Sequence, residues 1–317
     1  MRLFLLLMSK EIFIFIASVL LIMPMLSVFG DISLPGQLVL SAPFIILLGI
    51  PHGAIDNVLY IRGASLKQAH FIAIYLLIIA INILLWVVFP VAAYVLFLVI
   101  SAYHFGQSQF SHYFKTQKLV HQLTNLLWGV SILSALTLFN LTEIKTVMSD
   151  YSEFSVFDPV HHTRGLSVIF GISTLLTLSS LIWLTASKAL KLEALFMEVL
   201  ILALIFVSFY LMPVIIGFTL YFVILHSFKV LGEEYRFLKL AKEVKSRVAF
   251  VKLLTPFSIL SFFGMGVVFA LIHFNILAMS YGYCLLIIIS SITLPHVFVM
   301  NKFYKLLFKT NFYQEEH

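Results

Sequence analysis

Ten apolar runs, each long enough to cross a bilayer, constrain this chain more than any other feature of its sequence. A membrane-spanning helix needs about 20 mostly apolar residues. Such runs lie at 12–29, 37–58, 70–89, 91–108, 122–140, 165–185, 194–211, 212–228, 253–272 and 279–300. Only 11% of the 317 residues are charged, against about 25% in soluble domains. The sequence therefore predicts an all-α polytopic membrane protein and excludes a soluble enzyme, a nucleic-acid-binding module and a disordered chain.

Two boundaries between these spans depend on prolines. The apolar stretches 70–108 and 194–228 are interrupted only by Pro90 and Pro213. As one helix rising 1.5 Å per residue, either stretch would overshoot a hydrocarbon layer about 30 Å thick. Proline inside a helix removes a backbone donor and clashes with the preceding turn. We therefore expect a tight helical hairpin at each proline.

The basic residues support ten spans and give their orientation. With this count, Lys145 and Arg164 alone among the 20 Lys and Arg residues lie on the side opposite the termini. The positive-inside rule then places both termini in the cytoplasm. We expect residues 1–317 to form one multi-pass domain of the cell membrane. It would have an outer loop at 141–164 and a basic cytoplasmic connector at 229–252, whose charges we expect to face solvent.

Four of the 11 histidines lie inside apolar runs. His52, His104, His226 and His296 each occupy an even-numbered span, toward its cytoplasmic end, and so lie at similar depth. Ionisable residues are costly inside a membrane and usually face the bundle interior, and neutral imidazole is the commonest metal-ligating side chain. We predict that these four residues hold one metal ion. The other seven are expected at interfaces or in solvent: His70, His112, His121, His161, His162, His273 and His317.

Asp56 is an acidic residue inside a predicted span. It follows His52 by four residues, which places it on the same helix face one turn on. We predict that it acts at the catalytic site by orienting a metal-bound histidine, although metal ligation and water binding stay open. Pro51 and Gly53 flank His52 and predict an irregular helix, which membrane proteins tolerate where the backbone is buried in protein or lines a cavity.

The four candidate histidine ligands narrow the choice of metal cofactor and reaction. Paired histidines could ligate haem, but four would make two haems in one leaflet, which suits electron transfer across a membrane poorly. Zinc hydrolysis would need more acid–base groups than the runs contain. An all-imidazole site suits non-haem Fe(II) with O₂, and its apolar setting favours a lipid-soluble substrate. The alternative is a transporter or proton or metal pathway, which would spread polar groups through the whole membrane thickness.

Two longer motifs add a family resemblance. Gly-Ile-Pro-His-Gly-Ala-Ile-Asp at 49–56 and Ser-Ala-Tyr-His-Phe-Gly at 101–106 resemble signatures of the Brp/Blh family of membrane beta-carotene 15,15'-dioxygenases. Leu-His-Ser at 225–227 and Leu-Pro-His at 294–296 resemble its later histidine motifs, so the resemblance covers about residues 40–305.

The resemblance implies cleavage of the central double bond of beta-carotene by O₂ into two retinal molecules, and a functional link to a retinal-binding rhodopsin. It implies a carotenoid drawn from the lipid phase and Fe(II) held by His52, His104, His226 and His296. The chain departs from the family at Gln107-Ser108-Gln109, where an acidic residue is common, and at Val230, where a second histidine is common. These departures leave open a related oxygenase that acts on another polyene lipid.

Overall fold

The computed structural model describes residues 10–30, 32–61, 68–114, 118–149 and 152–309. This part of the chain is helical and contains no strand. The helices are α1 Lys10–Phe29, α2 Leu34–Phe44, α3 Asp56–Ile61, α4 Gln68–Val88, α5 Pro90–Gln109, α6 Leu119–Phe139, α7 Leu141–Ser149, α8 Thr163–Ala186, α9 Leu192–Leu211, α10 Val214–Leu220, α11 Phe228–Leu240, α12 Arg247–His273 and α13 Tyr281–Lys309.

The all-α membrane fold is confirmed. Within the described ranges, nine helical stretches are long and apolar enough to span a membrane. Two of them, Leu34–Tyr60 and Val214–Leu240, join α2 to α3 and α10 to α11 through turns of irregular helix. Each stretch matches one predicted span, and α1, an apolar helix of 20 residues, covers the remaining span at 12–29.

Both proline boundaries are confirmed. The backbone leaves the helical region at Phe89 (φ −137°, ψ 67°), and α5 begins at Pro90. It is extended at Met212 (φ −120°, ψ 148°), just before Pro213 and α10. Each proline therefore begins a new helix and allows the chain to reverse direction.

Some expectations about polar segments are wrong. The connector charges do not all face solvent, because α11 continues the span and buries Glu233 and Glu234. His121 and His161 are also buried. His161 lies in the predicted outer loop, which contains α7 and a 3₁₀ turn at Ser152–Phe157, and burial lowers its pKa. His317 and four of the Lys and Arg residues counted above lie outside the described ranges; the four are Arg2, Arg62, Lys67 and Lys115.

Two glycines bring α5 and α6 into backbone contact. A Cβ atom built on Gly129 would lie 1.8 Å from the Ala102 carbonyl oxygen, and one on Gly106 would lie 1.9 Å from that of Asn125. Real Cβ atoms never approach so closely, so only glycine permits this packing. Gly106 is two residues from His104, and the contact therefore also positions that histidine.

We expect Gly129→Ala to destabilise the protein by about 1–3 kcal/mol, because the added methyl group must push the two helices apart. Gly171→Ala is the matched control, since a Cβ on this glycine of α8 meets nothing within 4 Å. Thermal unfolding of the purified protein in detergent measures both. Equal unfolding midpoints for the two variants would contradict the close contact.

Candidate metal centre

His52 lies on a segment of irregular helix. Residues Ile45–Gly49 form a π-helical turn and Ile50–Gly53 a 3₁₀ turn, as the prolyl and glycyl neighbours of His52 predict. The His52 Nδ1–H group donates to the Gly49 carbonyl oxygen three residues back. A Cβ on Gly53 would lie 3.3 Å from Nδ1 of His296, so the glycine lets the His296 ring approach this backbone.

His226 lies on a second irregular segment. Tyr221–Ser227 forms a π-helical stretch between α10 and α11, and nothing in the sequence predicts it. Such π-bulges are rare and occur frequently at functional sites. His104 and His296 lie on the regular helices α5 and α13. All four side chains are buried, at most 9% exposed.

The four imidazole rings form a closed circuit. The ring centres of His52 and His296 are 5.0 Å apart, and those of His296 and His104 are 5.0 Å apart. The circuit closes through His226, whose ring centre lies 4.8 Å from that of His104 and 5.3 Å from that of His52. Adjacent rings are nearly perpendicular, at 82–87°. The structure thus brings together the four histidines that sequence reasoning selected.

The ring nitrogen atoms of three of the four histidines form a compact group. One ring nitrogen from each of His52, His104 and His296 lies within 4.8 Å of the other two. The fourth ring, His226, borders this group, and its Nε2 atom is buried without a hydrogen-bond partner.

Hydrogen bonds define the protonation of His226. The Ser108 hydroxyl has one hydrogen, which it donates to the Phe105 carbonyl oxygen at 2.9 Å. Its oxygen, 2.9 Å from Nδ1 of His226, therefore accepts a hydrogen bond from that nitrogen. A neutral imidazole with its proton on Nδ1 carries a lone pair on Nε2.

The same assignment holds for two more rings. Nδ1 of His296 donates to Oδ1 of Asp56 at 2.8 Å, and Nδ1 of His52 donates to Gly49. Both Nε2 atoms are therefore lone-pair acceptors. Among the described residues, Nε2 of His296 and both ring nitrogens of His104 are buried with no partner.

This donor set fits a metal ion. Buried lone pairs without a donor are costly, and a cation bound among the rings would satisfy several of them at once. Histidine ligands commonly use one nitrogen for the metal and give the other N–H to a carboxylate or carbonyl oxygen. Here a carboxylate, a carbonyl and a hydroxyl oxygen serve that purpose, on Asp56, Gly49 and Ser108.

Asp56 contacts His296 rather than the histidine four residues before it. Its second oxygen accepts a hydrogen bond from the Tyr75 hydroxyl at 3.0 Å. Asp56 is 4% exposed, so both contacts are shielded from water. The carboxylate is therefore held by α4 on one side and by the α13 histidine on the other.

Sequence reasoning missed several polar neighbours. Ser108 follows His104 by one turn, a spacing that would have indicated the same helix face. Lys229 Nζ donates to the carbonyl oxygens of Ser108 and Gln109, at 2.6 and 2.7 Å, and so ties the end of α5 to α11. Nothing in the sequence pointed to Tyr75.

The walls of the centre are aromatic. The Phe105 ring centre lies 4.9 Å from that of His226, and the Phe222 ring centre lies 5.6 Å from that of His52. Edge-to-face contacts of this kind hold rings in place and keep water out. The imidazoles therefore share an apolar environment.

Comparison with known proteins identifies the family. A family model described as beta-carotene 15,15'-dioxygenase matches residues 44–304, which include all four histidines and Asp56. No curated protein and no solved structure matches the chain. Because the matched region is well over half of the 317 residues, the chain belongs to the beta-carotene 15,15'-dioxygenase family.

Proposed function

We propose that the protein is an iron-dependent dioxygenase that splits beta-carotene at its central double bond into two molecules of retinal. The supporting observation is the closed circuit of four buried imidazoles, three of which present Nε2 lone pairs. Family membership supplies the reaction class. In the balanced reaction the C15–C15′ double bond breaks and each carbon receives one atom of O₂.

His52, His104, His226 and His296 would hold the metal. Iron bound there supplies the capacity to bind and activate O₂. Asp56, Gly49 and Ser108 keep the Nδ1 protons of three rings in place, which keeps those imidazoles neutral and their Nε2 atoms available. No proton enters or leaves the balanced reaction, and a site of neutral imidazoles suits such a reaction.

The aromatic walls would exclude water and position the polyene. Phe105 and Phe222 contact the histidines and offer flat apolar surfaces to a conjugated chain. Positioning one double bond beside the metal is the main contribution that the protein makes to such a reaction. We propose that the substrate enters from the lipid beside α12, whose apolar window is only 11% buried. This helix packs on the His52 turn and on α13, which carries His296.

The first test is pigment analysis of beta-carotene-producing cells that express the protein. Carotene should disappear and retinal should accumulate. His104→Ala should abolish product and reduce bound iron in the purified protein, because both ring nitrogens of His104 are without another partner. His273→Ala, at the exposed end of α12, is the control and should retain both.

Other outcomes of this test would change the proposal. Apocarotenals in place of retinal would move the cleavage point to another bond. Full iron content in the His104→Ala protein would remove His104 from the ligand set. Unchanged carotene together with protein that binds no metal would favour the transporter.

Asp56→Asn should weaken metal binding by about 10–100-fold, because the His296 Nδ1–H group loses its anionic acceptor. Tyr75→Phe keeps the Asp56–His296 pair and should weaken metal binding less. Competition with a chelator of known affinity measures both variants. Equal affinities in the parent protein and Asp56→Asn would contradict an orienting role for the carboxylate.

Ser108→Ala removes the acceptor for Nδ1 of His226 and should weaken metal binding about tenfold. Ser108→Thr keeps a hydroxyl group at this position and should restore most of the affinity. The same chelator competition compares the two. If both variants bind metal as tightly as the parent protein, the Ser108 contact does not orient His226.

A further inference from the structure

Three buried carboxylates lie beside the histidine circuit. Glu233 and Glu234 are on α11, at 5% and 0% exposure, and Asp56 is 4% exposed. The helix α11 that carries both glutamates packs against the His52 turn, and residues of α11 share one buried apolar cluster with residues of α3, which begins at Asp56. Since Asp56 bonds His296 directly, this acidic group adjoins the proposed metal centre.

The Glu234 oxygens of this acidic group lack donors, whereas Asp56 accepts from His296 and Tyr75 and Glu233 accepts from Ser111. Both carboxylate oxygens of Glu234 are buried without a hydrogen-bond partner. The same is true of Ser227 Oγ and Gln107 Oε1, which belong to residues next to His226 and one turn from His104. A buried acceptor left without a donor destabilises the folded state. Such groups are normally satisfied by water or by a cation.

Two of these acceptors, Ser227 and Glu234, lie on one continuous helical stretch. Ser227 ends the π-helical stretch, and Glu234 lies seven residues later on α11, about two helical turns away. Glu234 lies about 12 Å beyond His226 along the helix, at 1.5 Å per residue. It lies toward the end of α11 that carries Arg236 and Lys239, which the positive-inside rule assigns to the cytoplasm.

The nearby lysine does not cancel this acidic character. Lys229 Nζ is bound to the main-chain oxygens of Ser108 and Gln109. Both carboxylate oxygens of Glu234 remain without a hydrogen-bond partner, so this carboxylate retains the capacity to hold a cation.

A metal centre inside a membrane requires an entry path for its ion. A hydrated divalent cation does not cross hydrocarbon, so it must come from the aqueous side and exchange water for protein oxygens. Carboxylate and amide oxygens suit this task, whereas imidazoles suit the final site. We propose that Glu234, with Glu233 and Asp56, forms a transit site that holds an incoming divalent cation before it passes to the histidines. This inference rests on the proposed metal centre.

The test measures the rate at which the full-length apo-protein takes up Co²⁺. The visible absorption of Co²⁺ changes when imidazoles replace water, so stopped-flow absorbance follows arrival at the histidines. Glu234→Gln keeps the side-chain shape and removes the charge. We expect its uptake rate to fall at least about tenfold. Release to a chelator should slow by the same factor, because a transit site changes both rates and leaves the equilibrium affinity unchanged.

Glu198→Gln is the matched control. Glu198 is as buried as Glu234, but it already accepts a hydrogen bond from Gln109 Nε2 at 2.8 Å. This variant should take up Co²⁺ at the parent rate. Glu233→Gln, whose amide oxygen can still accept from Ser111, should slow uptake by a smaller factor and provides a second test should Glu234→Gln fail to fold.

Each remaining outcome overturns the proposal. Parent-like uptake in the folded glutamate variants shows that the carboxylates do not hold the ion in transit. Lower final stoichiometry or affinity in Glu234→Gln makes Glu234 part of the final site or of its structure. A parent protein that binds no Co²⁺ at the histidines removes the proposed metal centre itself, a result distinct from parent-like uptake in the variants.

Discussion

The Nδ1 protons of the buried histidines organise the site. Each of three rings gives this proton to a different kind of oxygen: a carboxylate on Asp56, a main-chain carbonyl on Gly49 and a hydroxyl on Ser108. The other nitrogen of each ring, Nε2, therefore carries a lone pair in the protein interior. One common cation would satisfy several such lone pairs at once, since the aromatic neighbours offer no donors. The proposed chemistry follows from this arrangement.

The surrounding fold serves to hold those acceptors in place. The Gly49 carbonyl can face His52 because the helix changes from π to 3₁₀ geometry at this point. Ser108 is held near His226 because Lys229 ties the end of α5 to α11, while Gly106 and Gly129 press α5 against α6. The irregular and closely packed parts of the membrane domain thus coincide with the histidines.

Much of this could be predicted from the sequence. The spans follow from run length and from Pro90 and Pro213, because apolar length and proline act locally. The four histidines could be selected as candidate metal ligands because the position of a residue within a span gives its depth in the membrane. The irregular helix at His52 could be anticipated from Pro51 and Gly53.

The rest depends on tertiary contacts. The π-helical turn at His226 has no proline or glycine to indicate it. The burial of Glu233 and Glu234 could not be predicted, because the sequence around them is typical of a solvated basic helix. Composition does not reveal which face of such a helix packs against the protein. That Asp56 contacts His296 rather than His52 depends on how α3 and α13 pack, across 240 residues of sequence.

The central claim is that a single iron ion is held by all four imidazoles. X-ray absorption spectroscopy of the purified, Fe(II)-loaded protein tests it most directly. We predict a first shell with four imidazole nitrogens at about 2.1 Å, as in other first-row metal–imidazole bonds, and the outer-shell scattering of four rings. A first shell with two or fewer imidazoles, or one dominated by oxygen, would contradict it.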